Sequence, residues 1–185
     1  MKRIIVGITG ATGIVYGIRL LEVLKDLGIE AHAVLSDSAE KNIAIETEHS
    51  LSYVKNLAHR VHDVEDVAAP ISSGSFRTDG MVIAPCTIKT LSGVAHSFNH
   101  NLIIRAADVV LKERRRLVLL VRETPLHKGH LDMMARVAGL GGIILPPVPA
   151  FYHSPKRIED IIDQTIGKVL DLFDIEHSLY ERWKG

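Results

Sequence analysis

Arg122 and Glu123 stand side by side where an apolar run, Leu117 to Val121, gives way to Thr124-Pro125. Neither charge is easily buried without a partner. At the end of a strand such a pair can serve a ligand: the guanidinium holds an anion or a flat ring, and the carboxylate carries a proton. A surface ion pair is the plainer alternative. A second candidate is Pro85-Cys-Thr-Ile-Lys-Thr90, which follows the apolar run Met81 to Ala84. Thr87 is a natural helix N-cap there, and the neighbouring N–H groups can either meet an anion or simply be capped. The third is the turn after Ile4 to Ile8. Glycines at 7, 10 and 13 let backbone approach an anion closely, and Thr9 and Thr12 add hydroxyl donors. Its spacing is not Gly-x-Gly-x-x-Gly, and a tight strand-to-helix turn would also need glycine.

Other residues invite chemistry less strongly. Ser72-Ser-Gly-Ser-Phe76 could line a phosphate or a flat ring, although a solvated turn is the commoner use of such a loop. Pro146-Pro-Val-Pro-Ala-Phe-Tyr152 is a stiff apolar wall ending in a phenol, fit for a hydrophobic substrate group or for an interface. Of ten histidines, His127 and His130 lie three apart. No third ligand has a recognisable spacing and Lys128 would repel a cation, so capping or solvated histidines are the reading. Cys86 is the only cysteine, which excludes an intrachain disulfide and a Cys-rich zinc site; a buried, inert thiol is expected. Arg114-Arg115-Arg116 reads as a solvated helix end.

These motifs need a scaffold that brings strand ends together. Strands are expected at Ile4–Ile8, Ala31–Leu35, Met81–Ala84, Leu117–Val121 and Gly142–Leu145. Helices are expected from Ile14, from Ser38 to about Glu48, over Leu51–Val61, from Thr87 through Val94, over Ile103–Lys112 and over Ile158–Phe173. Short apolar strands alternating with amphipathic helices specify an α/β fold, a mainly parallel sheet covered on both faces. Ligands in such sheets sit beyond the carboxyl ends of the strands, where the polar, glycine and proline residues of this chain collect. With 185 residues and no linker or repeat, one domain over 1–185 is expected. Charges balance at 22 Lys+Arg against 22 Asp+Glu, which gives no footprint for nucleic acid or a membrane surface. No run of eighteen apolar residues and no signal-peptide core occur, so a cytoplasmic location is expected.

Taken in order, Gly7-Ile-Thr-Gly-Ala-Thr-Gly13, Pro70-Ile-Ser-Ser-Gly-Ser-Phe76, Ala84-Pro-Cys-Thr-Ile-Lys-Thr-Leu91, Arg105 to Arg114, Arg122-Glu-Thr-Pro-Leu126 and Leu145 to Tyr152 resemble the UbiX/Pad family over Lys2 to Trp183. The resemblance implies a flavodoxin-like Rossmann three-layer sandwich. It also implies a metal-independent flavin prenyltransferase, of a kind formerly described as an aromatic-acid or phenylacrylic-acid decarboxylase subunit. A dimethylallyl group from dimethylallyl phosphate is joined to N5 and then C6 of reduced FMN, releasing phosphate. The prenylated FMN passes to a UbiD-type decarboxylase, and the enzyme assembles as a homo-oligomer, usually a dodecamer.

The resemblance also distributes roles. Gly10, Ala11 and Thr12, with Ser36 nearby, are expected at the flavin. Thr87, Ile88, Lys89 and Thr90 are expected along the FMN phosphate and ribityl chain, and Arg122 on the flavin. Glu123 is the expected proton relay, with Glu46 and Thr12 near the reacting atoms. Tyr152 and Lys168 would hold the allylic phosphate, joined by Arg105 and Lys112 from across a subunit boundary. Three departures stand out: Thr12 for a commoner serine, Lys168 for a commoner arginine, and Val67 where some members place a tryptophan. Lysine keeps the charge but loses bidentate geometry, and loss of the aromatic face removes ~0.5–2 kcal/mol of cation–π stabilisation at that position. Rival readings are an FMN-dependent cysteine-type decarboxylase of the same fold and a non-enzymatic flavin-carrying subunit. Whether a monophosphate or a diphosphate is used is left open by the sequence.

Overall fold

The computed structural model describes residues 2–183. Six parallel strands form one sheet: β1 (Arg3–Ile8), β2 (Glu30–Leu35), β3 (Arg60–His62), β4 (Gly80–Cys86), β5 (Arg116–Val121) and β6 (Ile143–Ile144), ordered β3-β2-β1-β4-β5-β6. Without the short edge strand β3, the other five keep the flavodoxin-like order 2-1-3-4-5. The helices are α1 (Ile14–Asp26), α2 (Asp37–Glu46), α3 (Leu51–Leu57), α4 (Ile88–Ala95), α5 (Leu102–Lys112), α6 (Lys128–Gly139) and α7 (Ile158–Leu172).

The apolar runs form strands because alternate side chains find a core on each face. Ile4, Val6 and Ile8 of β1, with Val82, Ala84, Val118 and Leu120, pack under α1, α2, α3 and α7. Ile5, Met81, Ile83, Leu117, Leu119 and Val121 pack under α4, α5 and α6. Parallel crossovers are right-handed, so the chain that moves outward from β1 through β2 to β3 must place its helices on one face. When it restarts at β4 and moves the other way, α4 and α6 fall on the opposite face. The reversal lies between β1 and β4, and the turns that follow these two strands diverge to opposite faces and open a crevice.

Three expectations need correction. The Leu51–Val61 segment is helical only to Leu57; Ala58 is extended, and Arg60–His62 pairs with His32–Val34 as β3. Ladder hydrogen bonds from the free edge of β2 outweigh helix continuation there. The strand expected over Met81–Ala84 runs from Gly80 to Cys86, with a register irregularity between Ile83 and Cys86 that accommodates Pro85. Helix α6 was not expected at all: Val137 is its one fully buried residue, so its apolar period is weak.

Candidate functional site

The β1–α1 turn is held from α2. Gly13 has φ +97° and no side chain with which to cap α1, so Glu46 supplies the cap: its Oε2 accepts from the N–H groups of Gly13 (2.8 Å) and Ile14 (3.1 Å). An N-cap of this kind is worth about 0.5–2 kcal/mol. Asn42 Nδ2 donates to the Gly10 carbonyl at 3.0 Å. Ser38 lies so near that a Cβ on Gly10 would come within 2.3 Å of the Ser38 Cβ, so glycine is required by the close approach of the helix. Ala11 is half-buried and Thr12 exposed on the same turn.

The β4–α4 turn is tied to β1 by Thr9. Its hydroxyl donates to the Pro85 carbonyl (2.7 Å) and accepts from the Thr87 N–H (2.9 Å). Thr9 is 2% exposed, so it fastens the two turns together and does not present a hydroxyl to a ligand as expected. Thr87 caps α4 by accepting from the Thr90 N–H (3.1 Å) and donates to the Thr90 hydroxyl (3.0 Å). Between the turns lies a cavity of about 150 Å³ lined by Gly10, Ser36, Thr87, Lys89, Thr90 and Asn101, among others. Ser36 and Asn101 are N-caps of α2 and α5, so three helix N-termini border one space with a lysine as its cation. That arrangement suits an anion. The volume falls below the ~300–1,000 Å³ of pockets that enclose a whole small-molecule ligand. It fits a phosphate group, with the remainder of any larger ligand lying outside.

Arg122 and Glu123 follow β5 beside this crevice. The Arg122 N–H donates to the Cys86 carbonyl (3.1 Å), which locks the end of β5 to that of β4. The Arg122 side chain is half-buried; Glu123 is exposed and accepts from the Thr124 N–H (3.0 Å). Tyr16, in the first turn of α1, has its phenol pushed upward by burial, with Arg122 opposing the shift.

Four further expected residues lie on α5, on α7 and in the loop before α7. Arg105 binds the Ser72 carbonyl (3.2 Å) and Asp108 (3.3 Å) on α5. Lys112, at the far end of α5, pairs with Glu113 (2.5 Å). Tyr152 accepts from Gln164 of α7 at 3.4 Å, and Lys168, one helical turn further on, lies 3.9 Å from Asp171. Tyr152, Lys112 and Lys168 face solvent, as does Val67.

Other candidates resolve into structure. Arg115 is not solvated: it donates to the Phe76 and Gly74 carbonyls (2.8 and 2.6 Å) and pins the serine loop to the α5–β5 junction. Arg116 pairs with Asp174 (3.0 Å). His127 caps α6, accepting from Gly129 at 3.0 Å. Burial raises the Cys86 thiol far above its ordinary range. No group of three or more His, Cys, Asp or Glu suited to a metal occurs among the described residues, and no helix there is long and apolar enough to cross a membrane. A larger cavity, about 480 Å³, lies between α1 and α7 and shares Glu46 with the turn. It is lined by the Arg19–Asp163 ion pair and lacks the converging N–H and hydroxyl groups of the smaller one. Ser38, Asn42 and Asn101 were missed as site residues, although Ser38, Asn42 and Glu46 stand at i, i+4 and i+8, a single helix face.

The family model for flavoproteins matches residues 1–183. A flavin prenyltransferase UbiX from Thauera aromatica is 60% identical over 183 residues, covering 99% of this chain and 94% of that protein. The flavin prenyltransferase UbiX of Escherichia coli K12 is 57% identical over 188 residues, with full coverage of both. Among solved structures, AnUbiX (PadA1) in complex with FMN and dimethylallyl pyrophosphate superimposes with a TM-score of 0.98 at 52% identity, covering 100% of this chain and 98% of that one. A dodecameric FMN-dependent UbiX-like decarboxylase from Escherichia coli O157:H7 gives 0.97 at 46% identity, covering 99% and 100%. The FMN-dependent cysteine decarboxylase SpaF shares the fold alone, at 14% identity and a TM-score of 0.65.

Proposed function

This chain belongs to the UbiX flavin prenyltransferase family of flavoproteins, and from that premise we propose that it transfers a dimethylallyl group from a dimethylallyl phosphate to reduced FMN. The observation that carries this reading is the phosphate-sized cavity at the β1–β4 reversal, bordered by helix N-termini, hydroxyls and Lys89. FMN fits these residues by the chemistry of the donors. Thr87, Ile88, Lys89 and Thr90 hold its phosphate and ribityl chain, Gly10, Ala11, Thr12 and Ser36 meet the flavin, and Arg122 fixes the ring system. When bound, reduced FMN supplies the nucleophilic ring atoms that accept the allyl group.

The protein's part in the chemistry is to help the allylic C–O bond break. Phosphate leaves with the bonding electrons, and each proton or cation on its oxygens lowers that cost. Glu123 delivers the proton, with Thr12 and Glu46 framing the reacting atoms. Glu46 acts chiefly through the turn it caps. Tyr152, Lys168, Arg105 and Lys112 neutralise the departing phosphate. Arg105 and Lys112, both on α5, are supplied by a neighbouring copy in a homo-oligomer, a dodecamer, and join Tyr152 and Lys168 at the phosphate. The prenylated FMN is released in the cytoplasm to a UbiD-type decarboxylase. No metal is needed, because basic side chains take its place at the phosphate.

A cysteine-decarboxylase role is less well supported: similarity to such enzymes is confined to the fold, while identity to flavin prenyltransferases reaches 60%. The reading is tested by incubating the protein anaerobically with reduced FMN and dimethylallyl phosphate or its diphosphate. The expected result is a flavin heavier by one dimethylallyl group. Binding of FMN with no such product would leave the flavin-carrying alternative.

A further inference from the structure

Helix α2 is built as a clasp on the β1–α1 turn, and we propose that Asn42 is a positioning residue that orients the Gly10–Ala11 peptide for flavin binding. The proposal rests on the reading of this turn as a flavin site. Three side chains one helical turn apart carry it: Ser38 against Gly10, Asn42 on the Gly10 carbonyl and Glu46 on the Gly13 and Ile14 N–H groups. Of the three, Asn42 alone governs a peptide that carries a donor for a ligand. In a trans peptide the C=O and N–H point in opposite directions. With the Gly10 oxygen drawn to Asn42 Nδ2 at 3.0 Å, the Ala11 N–H must face away from α2. Among the described residues, no group of the chain accepts from it. Glycine at 10 offers little resistance to rotation of this peptide, so the turn needs an external hold, and Asn42 is half-buried at the place that provides one.

The amide type is specified by the geometry. A carboxylate at 42 could only accept, so it would face the Gly10 oxygen with like charge and drive the peptide round. An alanine would release the peptide without repelling it. A glutamine keeps the donor on a longer arm.

The test uses the full-length protein first without flavin and then with oxidised FMN. In flavin-free protein, the Ala11 amide resonance and its hydrogen exchange should change markedly in Asn42→Asp, less in Asn42→Ala and least in Asn42→Gln. FMN dissociation constants should follow the same order, rising about 5- to 10-fold for Asn42→Ala, the effect of losing one ordinary hydrogen bond, and further for Asn42→Asp. Thermal melting of each variant separates this from loss of fold: Asn42→Gln, folded and tight-binding, should rescue what Asn42→Ala loses. An unmoved Ala11 amide together with unaltered FMN affinity in folded Asn42→Asp would overturn the proposal. Unmodified protein that binds no FMN would instead overturn the flavin reading and leave the amide result standing.

Discussion

The two halves of the candidate site are constructed differently. The half proposed for the flavin, from Thr9 to Ile14 and from Pro85 to Thr90, is fastened within one chain by side-chain bonds such as those from Thr9, Asn42 and Glu46. The half proposed for the allylic phosphate, Arg105 and Lys112 of α5, Lys168 of α7 and Tyr152 of the loop before α7, consists of side chains at the surface, paired loosely with neighbours such as Asp108, Glu113 and Asp171. A preassembled backbone site can bind its ligand without reorganising. Long side chains on an open surface remain mobile until something orders them. Under the proposed function the difference divides the labour: the fold builds the flavin pocket, and Arg105 and Lys112 of a neighbouring copy complete the reaction site.

The largest effect should separate chemistry from binding. Glu123→Gln keeps the size of the exposed side chain and removes its proton, so the rate of prenylated FMN formation should fall ~10²–10⁴-fold while FMN affinity is retained. Single-turnover absorbance with reduced FMN reads the first quantity and an oxidised-FMN titration the second. An unmodified rate would remove Glu123 from the mechanism.

Next come the surface cations. Lys112→Ala should lower kcat/KM for dimethylallyl phosphate by roughly 10- to 100-fold, the cost of a charged hydrogen bond of about 1.5–3 kcal/mol, without weakening FMN binding. If Lys112 serves a neighbour's site, oligomers reassembled from Lys112→Ala and Glu123→Gln subunits should recover part of the activity that each homogeneous variant lacks. No recovery in verified mixed oligomers would place both residues in one chain's site and erase the contrast between the halves. Lys168→Arg should raise phosphate affinity a few-fold through bidentate contact. Unchanged or weaker affinity would show that a point charge suffices at this position.

The same contrast explains what could be read in the residues. β1, β2 and β5 were legible because short apolar runs buried on both faces have few alternatives, and Thr87 was legible as a cap because its hydroxyl follows a strand and precedes an apolar helix. β3 was not, since an edge strand of three residues is defined by pairing with β2 and lacks an apolar signature of its own. Thr9 was misjudged because nothing local reveals that its hydroxyl reaches Pro85 and Thr87, 76 and 78 residues away. Asn42 escaped notice for the same reason: its partner, Gly10, is 32 residues distant. Arg105, Lys112, Tyr152 and Lys168 were assigned from motif resemblance, because no local pattern marks a lone cation or phenol as a phosphate ligand.

The smallest effect is expected where ionisable groups serve the fold. Arg3 forms a bidentate pair with Glu30 (2.7 and 2.9 Å), His32 Nε2 is 2.8 Å from Glu30, and His32 Nδ1 is 2.9 Å from His62 Nε2. The carboxylate can only accept, so His32 donates to it through Nε2 and accepts from His62 through Nδ1. Burial, reinforced by neighbouring His32, lowers His62 from 6.5 to about 4. The Arg3 hydrogen bond, then that of His32, holds Glu30 at about 2. As pH falls below 6.5, the unfolded chain protonates at His62 before the folded one does, so stability declines towards pH 4. Glu30 adds a second loss as pH passes from 4.5 towards 2, where only the unfolded carboxylate is neutralised at first. Urea denaturation at stepped pH should therefore show a declining midpoint from pH 7 to 4.5. His62→Gln should flatten that part of the curve, leave the loss below pH 4.5 and leave FMN affinity at pH 7 unaltered. An identical slope in the variant would show that other groups carry the acid sensitivity. A weakened FMN site at pH 7 would show that the edge network and the flavin half are coupled, which the separate hydrogen-bond networks of the two regions argue against.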